Sequence, residues 1–330
     1  MSQSTSPISI VYFGTPAYAV PTLHALGSDP RFEVRAVVTQ PDRPAGRGHA
    51  LQPSAVKQAA QSMGIPVLQP TTLRDEEARA QLRGFDADLF VVAAFGRIFS
   101  QAILSMPRYG CVNLHASLLP AYRGAAPIPA AILSGDEMTG VTLMVMERGL
   151  DTGPILATAT LRIDRSATTE SLTGQLAELG AGLTTMALPH IVGGEIGPVN
   201  QGPGATIVRQ LTKADGQIDW SLPALQIERH IRAMWAWPRA WSVLDGTVLT
   251  VQIHAVSIEP VRPNRAPGEI LVESGTLLVG TGNGLIRIDR AQLPGGKPLS
   301  GADLIRNGSI VAGNRFALPG APEVPLIQPA

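Results

Sequence analysis

Asn113, His115 and Asp151 are the residues whose types and spacing best fit a site of chemistry. Asn113 and His115 are two positions apart in an apolar segment, so their side chains would share one face of an extended strand. Asp151 follows a second apolar segment, in a loop that contains glycine. Transfer of an acyl or formyl group to an amine needs an oxyanion donor, a group that moves a proton and a partner that orients it. The three residues can supply these functions, although each alone also suits a turn or a local hydrogen bond.

The segments around these residues predict alternating strands and helices. Short apolar segments rich in β-branched residues are typical of buried strands, and they alternate with segments of helical spacing. We therefore predict an α/β domain over residues 1–192, with a Rossmann-like parallel sheet covered on both faces. Ligands bind beyond the carboxyl ends of strands in such sheets, where Asn113 and His115 would lie and where the loop with Asp151 would approach them. The expected strands are Ile8–Phe13, Glu33–Thr39, Ala87–Phe95, Cys111–His115 and Val141–Met146, and the expected helices include Ala55–Met63 and Thr169–Ile191.

The second half of the chain has a different composition. Residues 193–204 contain five glycines and two prolines, which is typical of a linker. Beyond it, short strand-like segments separated by glycine and proline predict a small β-barrel over residues 205–318. Residues 319–330 are predicted to be a flexible tail.

The overall composition excludes several classes of protein. Basic and acidic residues balance at 26 each, so no overall field would attract nucleic acid or an anionic membrane, and any polyanion site must be local. The single cysteine, Cys111, excludes an internal disulfide or a multi-cysteine metal site and suits a reducing compartment. No segment reaches the ~20 apolar residues that span a bilayer, and residues 1–9 lack the basic start of a signal peptide. We expect a cytoplasmic monomer that holds no metal.

Three segments resemble the signature of the folate-dependent formyltransferases. They are residues 113–120, residues 122–127 and residues 149–153. The match departs at Ala116, where glycine is common in that family. Because the change replaces one small residue with another, it puts little of the resemblance in doubt.

The resemblance implies roles for individual residues. In the family, the residues that match Asn113, His115 and Asp151 are catalytic, and the formyl donor is 10-formyltetrahydrofolate. The implied reaction is attack by a neutral amine on the formyl carbon, with His115 and Asn113 stabilising the oxyanion. Asp151 would orient His115 and help to remove the proton. The implied donor contacts are Ser117, Leu118, Leu119 and Pro120.

A loop from Gln40 to His49 bears on which amine is the acceptor. Its two prolines and two glycines predict irregular structure, and its Arg43 and Arg47 could contact phosphates without base specificity. The loop resembles the basic insertion with which some members of the family engage the acceptor arm of methionyl initiator tRNA.

The resemblance to those members extends over almost the whole chain. It includes Phe13–Pro16, Gly216–Ser221 and Trp237–Pro238. It implies an OB-like second domain that presents basic residues to tRNA. The candidates in this half are Lys213, Arg229, Arg232 and Arg239.

Alternatives stay open at this point. Another family member, acting on glycinamide ribonucleotide, a nucleotide sugar or water, would fit the same centre, but the long second half argues against it. A dinucleotide-dependent oxidoreductase would fit the first half, but Gly14–Ala17 lacks the Gly-x-Gly-x-x-Gly that cradles a pyrophosphate. A noncatalytic RNA-binding protein could keep the fold without the chemistry. Trp235, Trp237 and Trp241 could stack on bases, but we expect them to pack in the core of the barrel.

Overall fold

The computed structural model describes residues 6–45, 50–244, 250–259, 265–319 and 324–330. Its first domain surrounds a seven-stranded sheet. The strands are β1 (Ile8–Gly14), β2 (Phe32–Val38), β3 (Arg43–Ala45), β4 (Ala50–Gln52), β5 (Val67–Leu68), β6 (Leu89–Ala93), β7 (Cys111–His115), β8 (Arg123–Gly124), β9 (Met138–Val145) and β10 (Ile155–Arg162). The helices are α1 (Val20–Ser28), α2 (Ala55–Ser62), α3 (Glu76–Gly84), α4 (Gln101–Leu104), α5 (Pro127–Ser134) and α6 (Thr169–Val192).

The second domain is built mainly on antiparallel strands. Its elements are β11 (Thr206–Val208), α7 (Ala224–Ala233), β12 (Ala240–Val243), β13 (Thr250–Glu259), β14 (Ile270–Glu273), β15 (Thr276–Gly280), β16 (Leu285–Gln292), β17 (Leu299–Ser300), α8 (Gly301–Arg306) and β18 (Ile327–Pro329). Among the described residues, no helix is both long enough and apolar enough to cross a bilayer.

The central sheet of the first domain is mixed. Its strand order is β10-β9-β7-β6-β1-β2-β5, and the five strands from β7 to β5 are parallel, as predicted. The prediction is wrong for β9 and β10, which run antiparallel. Only residues 146–154 connect β9 to β10, fewer than the dozen or more that a parallel crossover needs.

Both faces of this sheet are buried, as predicted. Along β1, Ile10 and Tyr12 belong to the larger apolar core, whereas Val11 and Phe13 belong to a second core on the opposite face. Phe13 packs there against Phe90 with ring centroids 5.2 Å apart. A strand buried on both faces explains the near-continuous apolar run that identified it in the sequence.

The strands of the second domain close into a ring, which confirms the predicted barrel. The ladder β12-β13-β16-β15-β14 leaves two edges. The segment Arg315–Phe316 joins them, because Phe316 pairs with Leu244 after β12 and Arg315 pairs with Glu269 before β14.

The core tryptophan of this barrel differs from the prediction. Trp220 is fully buried and stacks on Phe316 with ring centroids 5.2 Å apart. Trp237 is 54% exposed, so the expectation that it packs in the core is wrong. Trp235 and Trp241 are half-buried, and their indole N–H groups donate to Glu170 and to the Lys213 carbonyl. Spacing alone could not tell a core aromatic from a surface aromatic.

The chain ends in an ordered strand instead of the flexible tail expected over residues 319–330. Strand β18 pairs with β11, which in turn pairs with β8 of the first domain. Ile327 packs against the buried side chain of Val208. This small sheet therefore joins the last residues to the first domain, because it buries apolar side chains that a loose tail would expose.

The basic loop after β2 also differs from its prediction. Strands β3 and β4 form an antiparallel ribbon, in which Arg43 pairs with Gln52 and Pro44 with Leu51. The expected irregular structure is therefore wrong for Arg43–Ala45 and correct for residues 40–42. A two-stranded ribbon leaves each strand one free edge, where the missing N–H of proline is tolerated. Residues 46–49, including Arg47, lie outside the described residues.

Candidate active site

Strand β7 places Asn113 and His115 at the centre of the mixed sheet. It lies between β6 and β9, so its backbone is paired on both sides. The alternation of a strand turns Asn113 and His115 to the same face, as predicted. His115 is only 6% exposed, and both residues line a cavity of about 790 Å³.

Asp151 reaches this cavity by a route that the sequence did not indicate. Because β9 is antiparallel to β7, it ends with Val145 opposite Val112, at the start of β7. The following loop then folds back over the sheet. Gly153 allows this close return, since a Cβ there would lie 1.9 Å from the Val145 carbonyl oxygen. Asp151 itself has a φ of 50°, in the left-handed region.

The structure brings the three predicted catalytic residues together. Asn113 Nδ2 donates to Asp151 Oδ1 at 3.4 Å, and His115 Nδ1 lies 3.6 Å from Asp151 Oδ2. The backbone N–H of Gly124 donates to the same Oδ2 at 2.8 Å. An amide, an imidazole and a carboxylate therefore face one another on the wall of a cavity.

The other nitrogen of His115 has a fixed partner. Nε2 lies 2.8 Å from the carbonyl oxygen of Tyr122. Because a carbonyl only accepts, Nε2 must carry a proton and donate it. Nδ1, beside Asp151, is therefore the nitrogen that is free to gain or lose a proton.

Gln201 supports the loop of Asp151, and the sequence analysis missed it. Its Nε2 donates to the carbonyl oxygens of Asp151 at 2.7 Å and Gly153 at 2.8 Å. Arg123 in turn donates to Gln201 Oε1 at 2.7 Å. Gln201 lies in the glycine-rich stretch predicted to be only a linker. Nothing in that composition marks one amide as a partner of the site.

The apolar wall of the cavity comes from the loop after β6. Ala94–Ile98 line it on this side, together with Met146 and Leu150. Ile98 is 84% exposed and Leu150 52% exposed, so a broad apolar mouth faces solvent. Ala94–Ile98 follow the carboxyl end of the parallel strand β6, which is the signal that could have identified them.

Ser117, Leu118, Leu119 and Pro120, the predicted donor contacts, are not among the residues that line this cavity. Ser117 is fully buried, and its hydroxyl donates to the Ala121 carbonyl at 2.6 Å. Thr142 donates to the Ser117 carbonyl at 2.7 Å and accepts from the Leu119 N–H at 3.1 Å. The geometry gives this segment a packing role beneath the site, and direct donor contact by its residues stays a prediction.

The predicted tRNA contacts lie in different surroundings. Arg43 and Lys213 are exposed, and Arg43 donates to Gln40. Arg232 is only 16% exposed, donates to Glu228 at 2.9 Å and to the Ala167 carbonyl at 2.8 Å. Its charge is compensated and it joins the two domains, so the geometry argues against a phosphate contact by Arg232.

Arg229 packs over Gly135, where an added Cβ would lie 2.0 Å from the guanidinium carbon. Within the part of the chain that the structure describes, no three His, Cys, Asp or Glu residues are grouped as metal ligands.

Arg209, on the second-domain side of the cavity, is held by Asp215. Two hydrogen bonds join them, Nη2 to Oδ1 at 2.6 Å and Nη1 to Oδ2 at 2.8 Å. Burial alone would raise the pKa of Asp215, but the hydrogen bonds from Arg209 and Thr212 outweigh it and lower that pKa to about 2. A lowered carboxyl pKa means that the ion pair stabilises the fold above the ordinary carboxyl pKa and is lost as the pH falls towards 2.

We therefore expect Asp215→Asn to lower the free energy of unfolding by about 2 kcal/mol at pH 7. The difference from wild type should shrink between pH 4 and pH 2, where the wild-type carboxyl also loses its charge. Urea denaturation at a series of pH values measures this. Glu137→Gln is the matched control, since its ion pair with Arg162 is long, at 3.9 Å, and largely exposed, and should contribute under about 0.5 kcal/mol. A pH-independent loss in Asp215→Asn would contradict the assignment.

Comparison with known proteins agrees with this geometry. Residues 8–188 match the formyl transferase family, and residues 210–308 match the formyl transferase C-terminal domain. The chain is 48% identical to the methionyl-tRNA formyltransferase of Pseudomonas fluorescens strain SBW25, over 92% of this chain and 95% of that protein. It is also 48% identical to the methionyl-tRNA formyltransferase of Stutzerimonas stutzeri strain A1501, over 91% of this chain and 95% of the relative.

Solved structures show the same fold at lower identity. The N-formyltransferase of Helicobacter canadensis, in complex with folinic acid and dTDP-3-aminofucose, is 19% identical and superposes with a TM-score of 0.64, covering 87% of this chain and 99% of that one. HypX of Aquifex aeolicus, in complex with tetrahydrofolic acid, is 17% identical with a TM-score of 0.61; the match covers 91% of this chain and 47% of HypX. The matches over both halves, together with the relatives at 48% identity, show that the chain belongs to the formyl transferase family.

Proposed function

We propose that this protein transfers the formyl group of 10-formyltetrahydrofolate to the amino group of methionyl initiator tRNA. The observation that carries the proposal is the cluster of Asn113, His115 and Asp151 in a cavity whose walls come from both domains. Relatives that share almost half of their residues over nearly their whole length are named for this reaction. We also propose a cytoplasmic location, because the one thiol, Cys111, is buried and unpaired and suits a reducing compartment.

The two sides of the cavity suit the two substrates. The side chains of Ala94, Phe95, Ile98, Met146 and Leu150 form an apolar and open part of the wall, which suits a flat aromatic ring system such as that of the folate donor. The cavity is also lined by residues 207–210 of the second domain, which suits an acceptor that approaches across that domain. The formyl carbon and the amine would then meet beside His115.

The chemical step follows from the hydrogen bonds of the cluster. The amine nitrogen forms a bond to the formyl carbon, and the carbonyl oxygen becomes an oxyanion that Asn113 Nδ2 and a protonated His115 Nδ1 can stabilise. Asp151, held by the Gly124 N–H, accepts the proton that leaves the amine, directly or through water. The bond between the formyl carbon and the donor nitrogen then breaks, and that nitrogen takes up a proton.

A direct assay tests the proposed function. The protein would be incubated with 10-formyltetrahydrofolate and methionyl initiator tRNA, and the tRNA analysed for formylmethionine. Formation of that product is the expected result. Absence of product on the tRNA, together with formylation of a nucleotide-linked amino sugar or of glycinamide ribonucleotide, would overturn the proposal.

A further prediction concerns Arg43 and the binding of tRNA. It is exposed at the start of the ribbon formed by β3 and β4, and we propose that it contacts a tRNA phosphate. Arg43→Ala should raise the KM for methionyl-tRNA and reduce the slope of log K against log salt by about 0.9, the value for one phosphate contact on a duplex. Titrations at four salt concentrations measure both quantities.

Arg162→Ala is the matched control for Arg43→Ala. Arg162 is 80% exposed and lies on the edge strand β10, with only a long ion pair to Glu137. It should leave the salt slope unchanged. If Arg43→Ala gives the same slope as this control, Arg43 makes no phosphate contact.

A further inference from the structure

A second cleft, of about 510 Å³, lies on the barrel domain. Its walls combine an aromatic ring, two guanidinium groups, an imidazole and two side-chain amides, which is a composition suited to a polar and partly aromatic ligand. These residues are Trp235, Arg239, Gln252, His254, Arg290 and Gln292. Neither the proposed catalysis nor the residues predicted from the sequence account for the cleft as a whole.

The cleft carries positive charge that the described residues do not compensate. In the part of the chain that the structure describes, neither Arg239 nor Arg290 forms an ion pair with a carboxylate. Arg287, on the same strand as Arg290, differs sharply, since it pairs with Asp289 at 2.7 Å and with Glu259 at 3.3 Å. Unpaired guanidinium groups beside a cleft are suited to bind an anion.

The positive charge of the two arginines also affects the pKa of His254. Burial lowers its pKa, and the neighbouring Arg239 and Arg290 lower it further, against the opposing hydrogen bond to Gln292. The imidazole is therefore neutral near pH 7, and the positive charge of the cleft belongs to the two arginines. Arg239 Nη1 lies 3.5 Å from His254 Nδ1, and His254 Nε2 lies 3.1 Å from Gln292 Oε1.

Irregular pairing shapes the floor of the cleft. The register between β13 and β16 shifts on both sides of Ala255. In a regular strand His254 and Ala255 would point to opposite faces, but both line this cleft. A bulge that redirects side chains in this way is a common feature of binding surfaces. The side-chain amide of Gln252 has no hydrogen-bond partner among the described residues and is free to bind a ligand.

The cleft is adjacent to the catalytic cavity. The first turn of α6 separates them, because Thr169 and Thr173 line the catalytic cavity while Glu170 accepts a hydrogen bond from Trp235 at 2.8 Å. A helix is about 10 Å across with its side chains. A nucleic-acid strand whose end lies in the catalytic cavity can therefore extend into the cleft.

We propose that this cleft binds one nucleotide, with its phosphate between Arg239 and Arg290 and its base against the ring of Trp235. Two sources share this chemistry, a nucleotide within the tRNA substrate and a free mononucleotide. The tRNA source rests on the proposed function, whereas binding of a free mononucleotide does not. Gln252 would contact the edge of the base with its free amide.

The test compares a double variant with a matched control. Binding of unacylated initiator tRNA and of AMP would be measured at 50 and 200 mM salt for wild type, for Arg239→Gln with Arg290→Gln, and for Arg287→Gln. The control removes one positive charge from the same strand as Arg290, at a guanidinium that is already paired.

If tRNA is the ligand, the double variant should bind it about tenfold more weakly at the lower salt, with a slope reduced by about 0.9 for the one phosphate contact, whereas Arg287→Gln should resemble wild type. If a free nucleotide is the ligand, the same loss should appear for AMP and be absent for tRNA. Unchanged binding of both probes in the double variant would overturn the proposal.

A second measurement does not depend on the folding of the variants. A phosphate held beside Arg239 and Arg290 would stabilise the charged form of His254, so the bound ligand should raise the pKa of His254 in wild-type protein. The imidazole resonances can be titrated with and without the ligand. An unchanged His254 titration with bound tRNA and with bound AMP would also overturn the proposal. The formylation assay could fail while the ligand still shifts the His254 titration and the double variant still binds more weakly. That combination would count only against the proposed function.

Discussion

His115→Ala is expected to lower kcat for tRNA formylation by about 10³-fold, within the range for loss of a positioned acid or base. The imidazole is buried, its Nε2 is held by the Tyr122 carbonyl, and only Nδ1 is free to exchange a proton at the cavity. Alanine removes that proton carrier and one of the two oxyanion donors. Because the ring lies at the cavity and away from the exposed basic residues, the affinity for tRNA should stay within about twofold of wild type.

Single-turnover formylation and filter binding of methionyl-tRNA separate the two effects. His24→Ala is the matched control, since His24 is exposed on α1 and does not line the catalytic cavity. It should leave both quantities unchanged. Equal losses of kcat and of tRNA affinity in His115→Ala would show that the residue acts mainly in binding or folding.

Asp151→Asn is expected to lower kcat by about 10²-fold or more and to change the pH dependence of the reaction. Asparagine keeps the size of the side chain but removes the negative charge beside His115 Nδ1. The NH2 group of the asparagine must also replace one of the two carboxylate oxygens. These are Oδ2, which accepts the Gly124 N–H at 2.8 Å, and Oδ1, which accepts from Asn113 at 3.4 Å. One of these two hydrogen bonds must be lost, because an amide nitrogen only donates.

A pH-rate profile of kcat checks this second expectation. The variant should lose the limb of the profile that depends on the charged carboxylate. Asp164→Asn is a suitable control, because Asp164 lies in an exposed turn where it accepts from Ser166 at 2.7 Å. A profile of Asp151→Asn that has the wild-type shape would contradict a role for this carboxylate in proton transfer.

Local sequence was most informative where one element alone decides the structure. Strand β7 begins and ends at Cys111 and His115, as predicted, with Gly110 directly before its short apolar run. The alternation along it then places Asn113 and His115 on one face without reference to the rest of the chain. The long helix α6 was similarly readable, since Thr168 caps it and its apolar positions repeat at helical spacing.

The direction of a strand within the sheet could not be predicted from local sequence in the same way. The apolar run of β9 looks the same whether the strand is parallel or antiparallel, because both faces are buried in either arrangement. Asp151 was expected beside His115 for the wrong reason, as the residue after a neighbouring parallel strand end. It arrives there because Gly153 lets the loop return across Val145.

The sequence by itself determined the chemistry that this protein can offer: an amide and an imidazole fixed on one face of one strand, and a carboxylate in a glycine-containing loop after a second strand. Only the tertiary structure decided that Gln201 holds the loop of Asp151, that Arg232 joins the domains, and that Arg239 and Arg290 share a cleft. The physical reason is the separation along the sequence over which each kind of interaction acts. Periodicity, caps and turns depend on neighbours within a few residues, whereas Asp151 and Gln201, 50 positions apart, meet only when the sheet, the connector and the barrel have packed together.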